Sequence, residues 1–285
     1  MPKGESLGSG FLPHDDERKR VIKEFSTHFK KYPQGSPDGT GFDSFWTQTN
    51  LGTHARMSQW HYAILLGRVS PKHATLLRSK TLNLQAKADK QTGKFPNHPS
   101  EATGGRHLAR SPAPRRTCSG FLARRLTHHN CEEYIRLNQL GLVPSGLEAG
   151  ARQLLLQTDL QNPSWSIVGI DFCNAHTSIA LKACWWCLHK RWTNTQQPID
   201  LMLCLYFLTF YAEPRQTFIQ VSRELRVYYQ TDSLDQGEAC ASHIFGFTIA
   251  DTLRRLFLPK CPSIDCLLEH DDLSLGGFPF LPSHA

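Results

Sequence analysis

Ser166-Ile167-Val168-Gly169-Ile170-Asp171-Phe172-Cys173-Asn174-Ala175-His176 is a β-branched run that ends on a carboxylate and gives way to a turn. It reads as a buried strand whose end faces a cleft, followed by a helix from about Thr177 to Trp192. A hundred residues on, Ile264-Asp265-Cys266-Leu267-Leu268-Glu269-His270-Asp271-Asp272-Leu273-Ser274-Leu275-Gly276-Gly277 reads as two short strands folded back at a pair of aspartates. Carboxylates on adjacent strand ends can converge on one point, where their combined charge calls for cations. Two Mg²⁺ (or Mn²⁺) ions about 3.5–4 Å apart would neutralise them and stabilise both the attacking and the leaving oxygen of a phosphoryl transfer. Magnesium uses few protein carboxylates together with substrate phosphates, which suits so sparse a set. Asp171, Asp271 and Asp272 are therefore the candidate catalytic and metal-binding residues. The competing reading is that Asp171 caps a helix and Asp271-Asp272 is simply a polar turn.

Working outward, Pro144-Ser145-Gly146-Leu147-Glu148 has the form of a capping box opening a helix to about Gln157. Phe121 to Leu137 alternates apolar and basic positions at helical spacing, and Ser79 to Arg116 is a loop or a long β-ribbon rich in basic residues. Residues 1–45 are polar apart from one helical candidate, Asp16 to Lys31, and helical spacing returns between Phe45 and Leu77. Downstream lie an apolar segment from Ile199 to Phe210, a hairpin turning at Ser222-Arg223-Glu224, and a helix from Gly237 to about Leu256. The expected divisions are a basic, partly flexible region 1–79, a region 80–165, and a region 166–285 that carries the carboxylates.

Composition narrows the class. A chain of 285 residues with 40% hydrophobic and 20% charged residues is globular in composition. The N-terminus has no apolar core of a signal peptide, and the longest apolar run is too short to span a bilayer. Nine cysteines, an odd number, point to reduced thiols and an intracellular setting. The net charge of +7 is split: residues 1–130 hold 21 Lys/Arg against 9 Asp/Glu, and residues 131–285 hold 11 against 16. A basic front half suits a phosphate backbone and an acidic back half suits divalent metal, although an ordinary solvated surface accounts for the same numbers.

The order of segments resembles the palm of a reverse transcriptase, in particular those of non-LTR and tyrosine-recombinase retrotransposons. The first palm motif of that family, an Asp followed by Asn, Ala and an aromatic, is matched by Asp171-Phe172-Cys173-Asn174-Ala175-His176. The second, Gln-Gly-Asp before a helix of small and apolar residues, is matched by Gln236-Gly237-Glu238-Ala239-Cys240-Ala241-Ser242. The third, an aromatic, any residue and two Asp, is matched by Glu269-His270-Asp271-Asp272. Upstream, Leu137-Asn138-Gln139-Leu140-Gly141 with Gly146-Leu147-Glu148 resembles the Gln-aromatic-Gly…Gly-x-Glu segment. Arg115-Arg116-Thr117-Cys118-Ser119-Gly120 resembles the fingers segment, and Lys87-Ala88-Asp89 sits where a basic fingers residue is expected. Together these cover roughly residues 80–277.

The resemblance implies an α+β fold of reverse-transcriptase-like fingers and palm, with an antiparallel palm sheet backed by helices and the thumb missing, because the chain stops at Ala285; a truncated polymerase is expected. It implies RNA-directed DNA polymerase activity, with Asp171 and Asp271 bridging the metals and Asp272 supporting them. Gln236 and Gly237 would line the nucleotide pocket, His176 would occupy the steric-gate position, and Arg115 and Lys87 would meet triphosphate or template phosphates. The implied partners are an RNA template, a DNA primer and deoxynucleoside triphosphates, with no membrane, in a nuclear location. The chain departs from the pattern at His176, Glu238, Glu269 and Arg116. The alternatives are a decayed fragment that only binds nucleic acid and a metal-dependent nuclease using the same carboxylates. Cys184-Trp185-Trp186-Cys187 with His189, and Cys261, Cys266 and His270, have metal-like spacing, but packing accounts for both; Trp185 and Trp186 read as core aromatics.

Overall fold

The computed structural model describes residues 20, 23, 71–86, 105–160, 166–172, 174–221, 224–261, 264–270 and 272–277. Most of the expected helix Asp16–Lys31, of which Arg20 and Lys23 are described and helical, most of Phe45–Leu77, and Lys87, Cys173 and Asp271 lie outside the described residues. Helix α1 (Pro71–Arg78) leads into strand β1 (Lys80–Ala86), which pairs antiparallel with β2 (Gly105–Arg110), so the described parts of the basic stretch include a ribbon, the second of its two expected forms. A second hairpin, β4 (Arg215–Val221) and β5 (Glu224–Gln230), joins it through a parallel β1–β4 contact in the order β2-β1-β4-β5. Strands from both sides of residue 165 therefore share one sheet. A second, three-stranded antiparallel sheet has the order β3-β7-β6, from β3 (Ser166–Asp171), β6 (Asp265–Glu269) and β7 (Asp272–Gly277).

Helices fill the space between. Pro112-Ala113-Pro114 starts α2 (Ala113–Arg136), where the missing proline N–H groups cost no helical hydrogen bond. It begins eight residues before the apolar spacing alone places it. α3 (Gly146–Leu160) follows a 3₁₀ turn at Leu140–Leu142, and a single turn α4 (Ala175–Ser178) precedes α5 (Leu181–Thr195). Gln196 takes a left-handed φ of 51° and ends α5, and Pro198 opens α6 (Pro198–Tyr211) two residues later. α6 is the central element: Leu201, Met202, Leu203, Leu205, Tyr206, Phe207 and Phe210 are all within 1% of complete burial. Each such aliphatic or Phe side chain contributes about 1.5–3 kcal/mol relative to an exposed position. α7 (Ala239–Thr252) runs on through a π-helical turn, Leu253–Phe257. Among the described residues, no helix is long and apolar enough to cross a membrane.

Two local expectations change. The box at Ser145 does not form: Ser145 has a left-handed φ of 57°, and the Glu148 carboxylate accepts from Arg152 at 2.7 Å, one turn along. β3 is not buried; it is an edge strand, exposed at every residue, because it pairs on one side only, with β7. Among the described residues, eight cysteines carry free thiols. Cys184 and Cys187 are buried in the core, with their thiols pushed up to about 12 by burial. Trp185 is buried there too, but Trp186 is half-exposed.

His243, on α7, is buried against α2, where its Nδ1 shares a hydrogen bond of 2.6 Å with the Tyr134 hydroxyl. Burial, with a smaller contribution from His270, pushes this imidazole down from 6.5 to about 3. The unfolded chain binds a proton there at higher pH than the folded one. The stability from keeping it neutral is therefore full above pH 6.5 and lost as pH falls toward 3, on the order of 5 kcal/mol in all. His243→Asn is expected to flatten this acid limb in urea titrations run at a series of pH values; an unchanged limb would exclude His243 as its source.

Candidate active site

The antiparallel register sets Asp171 directly opposite Asp272, and Asp272 directly opposite Glu269. Opposed residues in such a sheet lie about 4.5–5.5 Å apart at Cα and point to the same face. Three carboxylates thus stand side by side across the three strands. Glu269 registers the crowding: burial first, and then the Asp272 charge, raises its carboxyl above the ordinary range. His270, at the hairpin turn between them, takes a left-handed φ of 58°.

The segment Leu137–Leu142 braces this hairpin. Leu268 N–H donates to the Asn138 carbonyl at 2.7 Å, and His270 N–H donates to the side-chain Oε1 of the fully buried Gln139 at 3.0 Å. The glutamine marks a position where a backbone donor beside the acidic row needs a partner inside the fold.

His176 on α4 is buried, with its ring stacked on Phe245 of α7 at 4.9 Å and 20°. Its carbonyl accepts from Leu234 N–H at 2.8 Å, tying the turn after Asp171 to the segment that leads into Gln236. The side chain is therefore packed inside the fold, against α7. Gln236 is half-buried, and its carbonyl accepts from Ala109 N–H of β2 at 2.8 Å. Gly237 has φ 102°, and a Cβ there would lie 3.1 Å from the Ala109 carbonyl oxygen, so both conformation and proximity favour glycine. A cleft of about 350 Å³ lies between these segments, lined by Lys80, Leu82 and Ala109 of the ribbon, by Asn174 and Thr177, and by Gln236.

Arg115 differs from its expected phosphate-facing position. It is fully buried in the first turn of α2, where NH2 donates to Asp235 at 2.7 Å and Nε to Glu238 at 3.0 Å. Its guanidinium lies over the Phe210 and Tyr211 rings. Asp235 also meets Lys80 and Arg215, and Tyr206 donates to Glu238. Burial works against the Asp235 charge, but Arg215, Arg115 and Lys80 outweigh it and hold the carboxyl well below the usual range. Burial pushes Lys80 down to about 8 despite Asp235. These residues hold the Gln236–Gly237 turn from behind. Sequence reading missed the cluster, although Arg115, Cys118, Ser119, Leu122 and Leu126 recur at the three- and four-residue spacing of a buried helical face.

No protein-family model matches the chain, and no curated protein matches it. Among solved structures, apo telomerase from Candida tropicalis aligns with 82% of this chain and 43% of its own length, at 10% identity and a TM-score of 0.48. Apo telomerase from the same organism truncated from its C-terminal domain aligns with 73% and 44%, at 12% identity and 0.45. The chain thus spans less than half the length of either, and likeness at this level carries no assignment by itself.

Proposed function

We propose that the chain is a nucleotidyltransferase of the reverse-transcriptase type, an RNA-directed DNA polymerase of retrotransposon origin acting in the nucleus. The observation that carries this reading is the register that puts Asp171 opposite Asp272 across β3 and β7. The spacing of the first, second and third palm motifs in the sequence agrees with it. Among the described residues, no group of three His, Cys, Asp or Glu side chains is arranged to hold a metal ion. Two hard carboxylates completed by substrate phosphates are nevertheless a set that Mg²⁺ or Mn²⁺ accepts, and the raised Glu269 carboxyl marks negative charge that a cation would relieve. Asp171 and Asp272, with Asp271 from the sequence, would hold the ions. When bound, these would neutralise the attacking primer 3′-OH oxygen and the leaving pyrophosphate. The Gln236–Gly237 turn and the cleft beside it would hold the incoming deoxynucleotide over an RNA template, with Gly237 allowing close backbone approach. Lys87, taken from the sequence alone, would meet its phosphates.

Primer extension on an RNA template with Mg²⁺ or Mn²⁺ tests this. Asp171→Asn is expected to lower extension by at least about 100-fold, because charge stabilisation at the reacting oxygens is the chief contribution such a site makes. Extension by this variant equal to that of the parent would overturn the proposal. The second reading, a fold that binds nucleic acid without catalysis, is favoured by the full burial of Arg115, whose guanidinium is taken up by Asp235 and Glu238. Salt-dependent binding with no extension by the parent would select it.

A further inference from the structure

A groove runs between α2, α5 and α7, away from the carboxylate row. Its larger part, about 300 Å³, is lined by Cys187, Lys190, Arg191, Phe247 and Asp251, and a smaller part of about 140 Å³ continues against β6. Arg136, Leu137 and Arg254 line both parts and so stand at their junction. The smaller part is bounded by Cys266 and Leu268, whose positions alternate with Glu269, so it lies on the helix-packed face of the sheet and the acidic row on the other.

The charges in the larger part are unevenly matched. Glu133 is held by Arg191 at 2.6 Å, and Asp251 by Lys190 at 3.1 Å and Arg255 at 2.7 Å. Arg136 has a single exposed contact to Glu133, at 3.7 Å, and Arg254 forms no ion pair or hydrogen bond among the described residues. Two exposed arginines at the junction therefore retain most of their positive field. Beside the groove stands the half-exposed indole of Trp186, with the Arg255 guanidinium 4.2 Å and the Lys190 ammonium 5.0 Å from its ring centre. Exposed aromatic and guanidinium groups next to arginines with little or no ion pairing are the elements of single-strand recognition: phosphates meet the arginines while bases stack.

We propose that this groove is a second nucleic-acid-binding site, taking a single-stranded segment with its phosphates on Arg136 and Arg254 and its bases against Trp186. The assignment is independent of catalysis at the carboxylate row. It is tested on the full chain with a fluorescein-labelled single-stranded RNA 20-mer, reading anisotropy across a KCl series. Arg136→Gln combined with Arg254→Gln removes two phosphate contacts, so the slope of log affinity against log salt is expected to become shallower by about 1.4. Trp186→Ala is expected to weaken binding at least about fivefold with the slope unchanged. Both changes are at exposed positions, and circular dichroism reports whether the fold is kept. Slope and affinity equal to the parent's in the folded double variant would overturn the site. Poly-glutamate displacing the RNA from the parent at equal charge concentration would overturn it in favour of an acidic peptide.

Discussion

Arg115→Met is expected to lower the free energy of unfolding by about 3–5 kcal/mol, the cost of removing one partner from a buried ionic cluster. Methionine preserves most of the volume over Phe210 and Tyr211, so the loss falls on the two carboxylates. Asp235 keeps Lys80 and Arg215, whereas Glu238 keeps only the Tyr206 hydroxyl among its described partners. Glu238, one residue before α7, would then be a buried carboxylate without a cation. Set against the 5–15 kcal/mol that holds a typical domain together, this deficit leaves the chain close to unfolding. Urea denaturation measures it, and the double variant Arg115→Met/Glu238→Gln supplies the control. Neutralising the stranded carboxylate is expected to recover part of the loss, so that the double change costs less than the sum of the single ones. Strict additivity would mean that the ion pair to Glu238 carries little, and that Arg115 acts through packing alone.

The same cluster shows where a one-dimensional reading stops. The two hairpins, the apolar segment that becomes α6 (though not its helical state) and the carboxylate at the end of β3 were legible because each is announced by a local pattern: alternation, an apolar run, or a β-branched stretch closing on Asp171. Arg115-Arg116 follows a Pro-rich basic stretch and reads as solvated loop. That the first arginine turns inward and the second outward depends on α2 starting at Ala113, and on partners 120 and 123 residues away. His176 is similar: its spacing from Asp171 is local, but its burial is decided by Phe245, across α7. The exposure of β3 was illegible for the opposite reason. A run of Ile, Val and Ile announces a strand, and nothing in it tells which side will be left unpaired. The Gln139–Gly141 segment was legible as a motif and not as a mechanism, since the need for glutamine arises only once His270 presents its N–H.

Gly141→Ala is expected to disturb the hairpin that carries Asp272, although the two positions are far apart in the chain. A Cβ built at Gly141 would lie 2.5 Å from the backbone nitrogen of His270 and 2.9 Å from the carbonyl carbon of Glu269. Both are backbone atoms, so no side-chain rotation can relieve the overlap. Either the 3₁₀ turn Leu140–Leu142 or the β6–β7 turn must move. The first movement breaks the Leu268 and His270 hydrogen bonds to Asn138 and Gln139, and the second shifts Asp272 against Asp171. Overpacking of this kind costs about 1–3 kcal/mol, and each lost buried hydrogen bond adds about 1–3 more. Thermal and urea unfolding measure the first effect. If the carboxylate row is catalytic, primer extension by the fraction that remains folded should fall as well, because displacements near 1 Å are enough to spoil an aligned phosphoryl transfer. Gly120→Ala is the matched comparison: it lies within α2, nothing stands within 4 Å of its added methyl, and helix propensity favours alanine by up to about 1 kcal/mol. Stability equal to the parent's in Gly141→Ala, beside the expected gain in Gly120→Ala, would show that the turn does not brace the hairpin.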